Sequence, residues 1–241
     1  MSEPHTPRQK ARARTLEDIT RIGRRHLATE GAAALSVRAV ARDLGVVSSA
    51  IYRYVRSRDD LLTLLVVDGY DELGDAVDAA TARVAADDYR GRFIAIGRAV
   101  RGWALREPAT YALLFGSPVP GYQAPAERTT GPGTRVIGAL VQVWEDAHSA
   151  GEVQAPDSAT TPVPRKLAAD VKRIRKGFPM TAPDDLVLRG VLAWAALFGC
   201  VSFEVFGQYG PDTFIAADQL FERQLQLLAD ATGLPSKRNL G

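Results

Sequence analysis

Cysteine, histidine and methionine are scarce here: one, three and two residues respectively in a chain of 241. With a single cysteine, Cys200, no intramolecular disulfide can form, which fits a reducing compartment. His5, His26 and His148 lie far apart, so no closely spaced His or Cys pair exists to hold a metal. A Gly-rich phosphate loop and a Gly-x-Ser-x-Gly elbow are also missing. The reading is therefore of a non-enzyme with no cofactor and no metal. Strand-like alternation, repeats and low-complexity tracts outside loops are absent too. The most apolar run, Gly190 to Phe203, is 14 residues, short of the roughly 20 a membrane-spanning helix needs. The opening MSEPHTPRQKARART is basic with no apolar stretch behind it, so it does not read as a secretory signal. A cytoplasmic protein without a membrane partner is expected.

What the chain has is an ordinary globular composition, 46% apolar and 24% charged, enough for a substantial core. Its net charge of +2 is unevenly spread. Residues 1–58 carry 12 Lys and Arg against 5 Asp and Glu, whereas residues 59–241 carry 18 against 23. A basic head on an acidic body suggests that the head meets a polyanion.

Leu35 to Tyr54, LSVRAVARDLGVVSSAIYRY, is the stretch that says what the head does. Val37, Val40, Ala41 and Leu44 recur at helical spacing, Gly45 can end that helix in a left-handed conformation, and a second helix begins within a few residues. Ser36 and Ser48 stand where N-caps belong. Two short helices and a tight Gly turn describe a helix-turn-helix, whose second helix enters the DNA major groove. Before it, Thr15 with Asp18 resembles a capping box opening a helix that Gly31 stops, with Ile19, Ile22, His26 and Leu27 inward and His26 simply packed. Residues 1–14 read as a basic disordered arm, 15–60 as the DNA-binding domain, 61–232 as a helical regulatory and dimerisation domain, and 233–241 as a tail.

The body reads as helical throughout. A long connector runs from Arg58 to about Ala86, weakened at Gly69 and Gly74 by roughly 1 kcal/mol each relative to Ala. Helices are expected over 90–107, 109–115, 134–150, 166–176, 184–206 and 213–232. Residues 116–133 and 151–164, rich in Pro, Gly, Ser and Thr, read as long loops. The 184–206 helix is apolar nearly all round and is expected to be buried. The fold class is all-α: a three-helix helix-turn-helix domain plus a larger helical domain.

Residues 16–66 together resemble the N-terminal domain of a TetR-family transcriptional regulator. The resemblance rests on Gly31, the Ala41 to Val46 turn, Ile51-Tyr52-Arg53-Tyr54 and the Arg58…Leu61-Leu62 start of the connector. Further on, Ala109-Thr110-Tyr111, Leu114-Phe115-Gly116 and Trp194…Phe198-Gly199 are similar to a TetR subclass whose penultimate helix carries Trp, His and Gly; Phe198 stands where that His is expected. The resemblance implies a homodimer that binds a palindrome on double-stranded DNA, represses nearby genes and is released by a small molecule. It also implies that Val47, Ser48, Ser49 and Ala50 open the reading helix, with Arg38 able to reach a guanine edge. Tyr52, Arg53 and Tyr54 would lie just behind, and Tyr54 with Arg58 would hold phosphates, alongside Ser36 and Thr15.

In the body, Trp103, Tyr111, Phe115, Trp144, Phe178, Trp194 and Phe198 are candidates to line an apolar ligand cavity, with His148 as a polar member. Glu204 falls in an apolar helix and must be paired, hydrogen-bonded or at an opening to water. The last two helices are the candidate dimer interface, through Val201, Glu204, Val205, Phe214, Phe221, Leu225 and Leu228. The competing reading is a DNA-binding regulator with no small-molecule ligand, controlled by a protein partner.

Overall fold

The computed structural model describes residues 6–153 and 162–235, and among them there are eleven helices and no strand. In chain order they are α1 (Pro7–Ala34), α2 (Val37–Asp43), α3 (Ser48–Ile51), α4 (Arg58–Thr81), α5 (Tyr89–Arg106), α6 (Pro108–Phe115), α7 (Ala126–Gly133), α8 (Arg135–Ser149), α9 (Arg165–Gly177), α10 (Asp184–Val205) and α11 (Ala217–Ala231). Two compact units emerge, one of residues 1–72 with 107–133, the other of 73–106 with 134–241. The cut falls inside α4 and again between α5 and α6.

The first unit begins earlier than the sequence suggests. Thr6 caps α1, accepting the Gln9 amide, and the Gln9 side chain returns a bond to the Thr6 amide. Pro7, lacking an amide hydrogen, fits the first turn. Residues 7–14 are therefore helical rather than a disordered arm, and residues 1–5 lie outside those described. Thr15 is no cap: its hydroxyl donates to the Ala11 carbonyl one turn back within α1. Gly31, at φ 78°, breaks the helical path where the sequence puts a stop.

Around α1 the unit closes an apolar core. Ile19, Val40, Ile51, Leu61, Leu62 and Leu65 are fully buried in it. The 116–133 stretch, expected as a plain loop, contains α7 and lies on this core: Val119 and Tyr122 pack against it, and Tyr122 Oη sits 3.1 Å from Thr63 Oγ1. Gly69 has a structural reason, since a Cβ there would come within 2.7 Å of Thr110 on α6. Arg24 ties α1 to α4 and α6, with Asp68 at 2.6 Å, Glu72 at 2.5 Å and Glu107 at 3.7 Å. Burial pushes the Asp68 carboxyl above its ordinary range, against the pull of Arg24.

In the second unit α5 is the central helix, with Phe93, Ile96, Val100 and Trp103 fully buried. It packs against α8, α10 and α11. Gly97 lets α11 approach, because a Cβ there would overlap the Leu225 side chain. Arginines of α5 lock the surface: Arg92 pairs with Asp146, Arg98 with Glu222 and Arg101 with Glu204. Helix α10 departs from its expected burial. Ala193, Leu197 and Val201 face the core, but Val191, Leu192, Trp194 and Phe203 are exposed. By length and hydropathy α10 is the one helix among the described residues that could cross a membrane.

Candidate nucleic-acid interface and ligand cavity

The helix-turn-helix is built as its residues dictate. Ser36 accepts the Ala39 amide at 3.4 Å and opens α2; Gly45, at φ 73°, makes the turn that a side chain would strain. The second helix starts one residue off expectation. Its N-cap is Val47, with no side-chain capping bond, and Ser48 is already in the first turn. That frees both Ser48 and Ser49, which are exposed, as is Arg38 on α2. After Ile51 the amides of Tyr54 and Val55 still bond back to its carbonyl, at 2.9 and 3.0 Å, so the helical path continues one turn. Tyr52 and Arg53 are exposed on that turn and Tyr54 is half-buried, with the Arg12 guanidinium 5.2 Å from its ring centre.

Two residues are turned to work inside the unit. Arg58 Nη2 donates to the carbonyls of Ala32 and Ala33, at 2.9 and 3.3 Å, satisfying the loose end of α1. Its Nη2 is thus engaged by backbone, with Nη1 3.7 Å from Asp59. His26, expected to be merely packed, is buried with Nε2 2.8 Å from Asp43 Oδ2, joining α1 to the end of α2. Bonding from His26, reinforced by Arg25, holds the Asp43 carboxyl below the usual carboxylate range. Arg56 and Arg128 went unnoticed in the sequence; both border a polar concavity with Arg12, Arg53, Tyr54, Ser57 and Asp60.

A narrow apolar cavity, open to solvent, lies between α8, α9 and α10 of the second unit. Trp144, Phe178 and Trp194, three of the eight expected lining residues, come together there. The others do not. Trp103 is core, Phe198 stacks edge-on beside Trp194 at 6.3 Å, and His148 is absent from the walls. Tyr111 and Phe115 belong to the first unit, 5.1 Å apart ring to ring, with Tyr70 beside Phe115. Ile137, Val141, Ile174 and Leu186 are among the other lining residues; the Ile137, Val141, Trp144 spacing on one helix is the signal that could have marked the α8 members. Glu145 is the only charged wall residue among the described residues, and its carboxylate accepts the Thr181 amide and hydroxyl and the Ala182 amide. Trp144 Nε1 is buried with no hydrogen-bond partner among the described residues.

The expected dimer residues also divide. Val201, Phe221 and Leu225 are buried in their own unit, because they lie on the α5-facing sides of α10 and α11. Glu204 is held bidentately by Arg101, at 2.7 and 2.6 Å, and Arg101 also reaches Asp218. Val205 and Leu228 are partly exposed. Phe214 is exposed, and with Leu192, Phe203, Phe206, Ile215 and Leu227 it leaves apolar surface uncovered on α10, α11 and their connection.

An all-helical chain with an open helix-turn-helix in one unit and an apolar cavity in the other is a DNA-binding transcriptional regulator of the two-part kind. Comparison with known proteins agrees. The profile of bacterial regulatory proteins of the tetR family matches residues 19–65, and that of the tetracyclin repressor-like C-terminal domain matches 93–228. The HTH-type transcriptional regulator Rv1816 of Mycobacterium tuberculosis is 47% identical over 221 residues, covering 92% of this chain and 93% of that one. The solved structure of SCO4313 is 32% identical with a TM-score of 0.75, covering 93% of this chain and all of the other. RolR in complex with resorcinol shares the fold at 15% identity and a TM-score of 0.51, over 95% and 96% of the two chains. The chain belongs to the TetR family of transcriptional regulators.

Proposed function

We propose that this regulator is a cytoplasmic repressor that binds a palindromic operator as a homodimer and is released by a small apolar molecule. The observation that carries the reading is the cavity between α8, α9 and α10, lined mainly by apolar side chains and with the one carboxylate among its described walls already satisfied. Such a site favours an uncharged, flat or aliphatic ligand, since any buried charge would lack a partner. That RolR, of the same fold, holds the aromatic resorcinol supports the class rather than the compound. In the DNA-binding unit Ser48, Ser49, Ala50 and Arg38 would read bases, while Arg53 and Tyr54 would hold phosphate. Ser48 and Ser49 are small, so operator shape would carry part of the specificity.

Enrichment of bound genomic fragments would define the operator. Two of the three tryptophans, Trp144 and Trp194, line the cavity. A ligand should therefore change their emission, raise the melting temperature and release the operator at matching concentrations. A compound that shifts Trp fluorescence without affecting operator binding would separate the cavity from control of DNA.

A further inference from the structure

The unexplained feature of the DNA-binding unit is where its arginines converge. Arg12 of α1, Arg53 and Arg56 of the turn after α3, and Arg128 of α7 border one open polar concavity, with Tyr54, Ser57 and Asp60. Four arginines border it with a single carboxylate among them. In the second unit Arg90, Arg92, Arg98, Arg101 and Arg175 are each paired with a carboxylate. Here neither Arg12 nor Arg53 has a carboxylate partner among the described residues; Arg12 rests on the Tyr54 ring instead. Asp60 is shared, accepting Arg128 Nη1 at 2.5 Å and the Arg56 amide at 3.1 Å. Like charges around one concavity repel one another, and an oxyanion entering it relieves that repulsion.

The geometry points to a phosphate-binding site for the DNA backbone that includes Arg128, a residue from outside the helix-turn-helix. This rests on the reading of the first unit as the DNA-binding head. The concavity starts at Arg53 and Tyr54, immediately after the reading helix, so it continues the surface that meets DNA. Arg128 reaches it because the 116–133 segment is docked on the head, through Val119, Tyr122 and the Asp60 pair. Its 43% exposed side chain leaves guanidinium hydrogens free for an incoming oxygen while one nitrogen stays on Asp60. The shared chemistry is that of a phosphate oxyanion, and duplex DNA is the source that the adjoining reading helix favours.

Phosphate contacts are independent of sequence, so the test needs no operator: binding to a mixed-sequence duplex of about 30 base pairs, titrated between about 50 and 200 mM salt. Wild type must bind this duplex, and failure there would remove the DNA-binding reading itself. Given wild-type binding, Arg128→Ala should weaken it on the order of 3–10-fold and reduce the slope of log K against log salt by about 0.9, with Arg128→Lys recovering most of both. Asp60→Asn keeps every positive charge and an oxygen that can still accept the Arg56 amide, while the ion pair with Arg128 is lost, so it should bind as tightly as wild type or more so. Unchanged affinity and slope in Arg128→Ala would overturn the proposal, as would an Asp60→Asn protein that weakens like Arg128→Ala, which would make Arg128 a strut. A melting point raised by inorganic phosphate in wild type but not in Arg128→Ala, with the DNA slope unmoved, would instead mark a free-anion site.

Discussion

Arg58 and Asp43 show how far a side chain's partners can move its role. Arg58 donates to the carbonyls of Ala32 and Ala33 beyond the break at Gly31, where helix geometry leaves acceptors unmet. Arg58→Ala should therefore act on stability, lowering it by about 1–2 kcal/mol, while leaving the salt slope of DNA binding as it is. Paired thermal melts and salt titrations read both. Asp43 works through charge. Its folded pKa lies below that of the unfolded chain, so the carboxylate favours the folded state above about pH 4, and this benefit fades as pH falls through the lower, folded value. Asp43→Asn should be less stable than wild type at neutral pH and flatter across the acid limb; denaturation followed from neutral pH to about pH 2.5 would show the two curves converging. At the reading edge, Ser49→Ala should change preference at a single operator position if its hydroxyl meets a base, which a selection on randomised duplexes would resolve.

At the scale of elements, what could be read was whatever depends on spacing. The helix-turn-helix, the connector and the α5, α8, α10 and α11 segments follow from apolar periodicity, and Gly31 and Gly45 mark their stops as they should. What could not be read depends on contacts between distant residues. The start of α1 is an exception, because its signal is local: Thr6-Pro7-Arg8-Gln9 is a capping box with proline at the first helical position, and it outranks the Thr15 candidate. Helix α7 hides in a Pro- and Gly-rich stretch, with Pro132 inside it, and is held by the buried Thr129 and the Arg128–Asp60 pair. Helix α10 is apolar all round, so composition could not tell which side meets α5. Three of the seven expected aromatic residues gather at the cavity because helical spacing shows a face but not its neighbour. Gly45 is the sharpest element-level case: at φ 73° with nothing near its missing Cβ, Gly45→Ala costs backbone strain alone, about 1 kcal/mol, visible as a lower melting temperature with the core intact.

For the molecule as a whole, the question is what covers the apolar surface of α10 and α11. One chain leaves Leu192, Phe203, Phe206, Phe214, Ile215 and Leu227 in water, while Val201, on the same helix as Phe203, is fully buried. A second copy applying the same surface about a two-fold axis would bury them, and paired heads would match a palindrome. The two classes of residue on α10 make the test specific. Phe203→Asp places a charge only in the proposed interface, so it should give a folded monomer in sedimentation, with melting retained at low concentration. Its operator affinity should fall by about 100-fold or more, because two linked heads bind with an effective concentration that one head lacks. Val201→Asp instead buries an unpaired charge within one chain and should unfold it, at a cost of several kcal/mol. A Phe203→Asp protein that remains dimeric and binds the operator normally would place the two-fold contact elsewhere and leave the exposed face to a different partner.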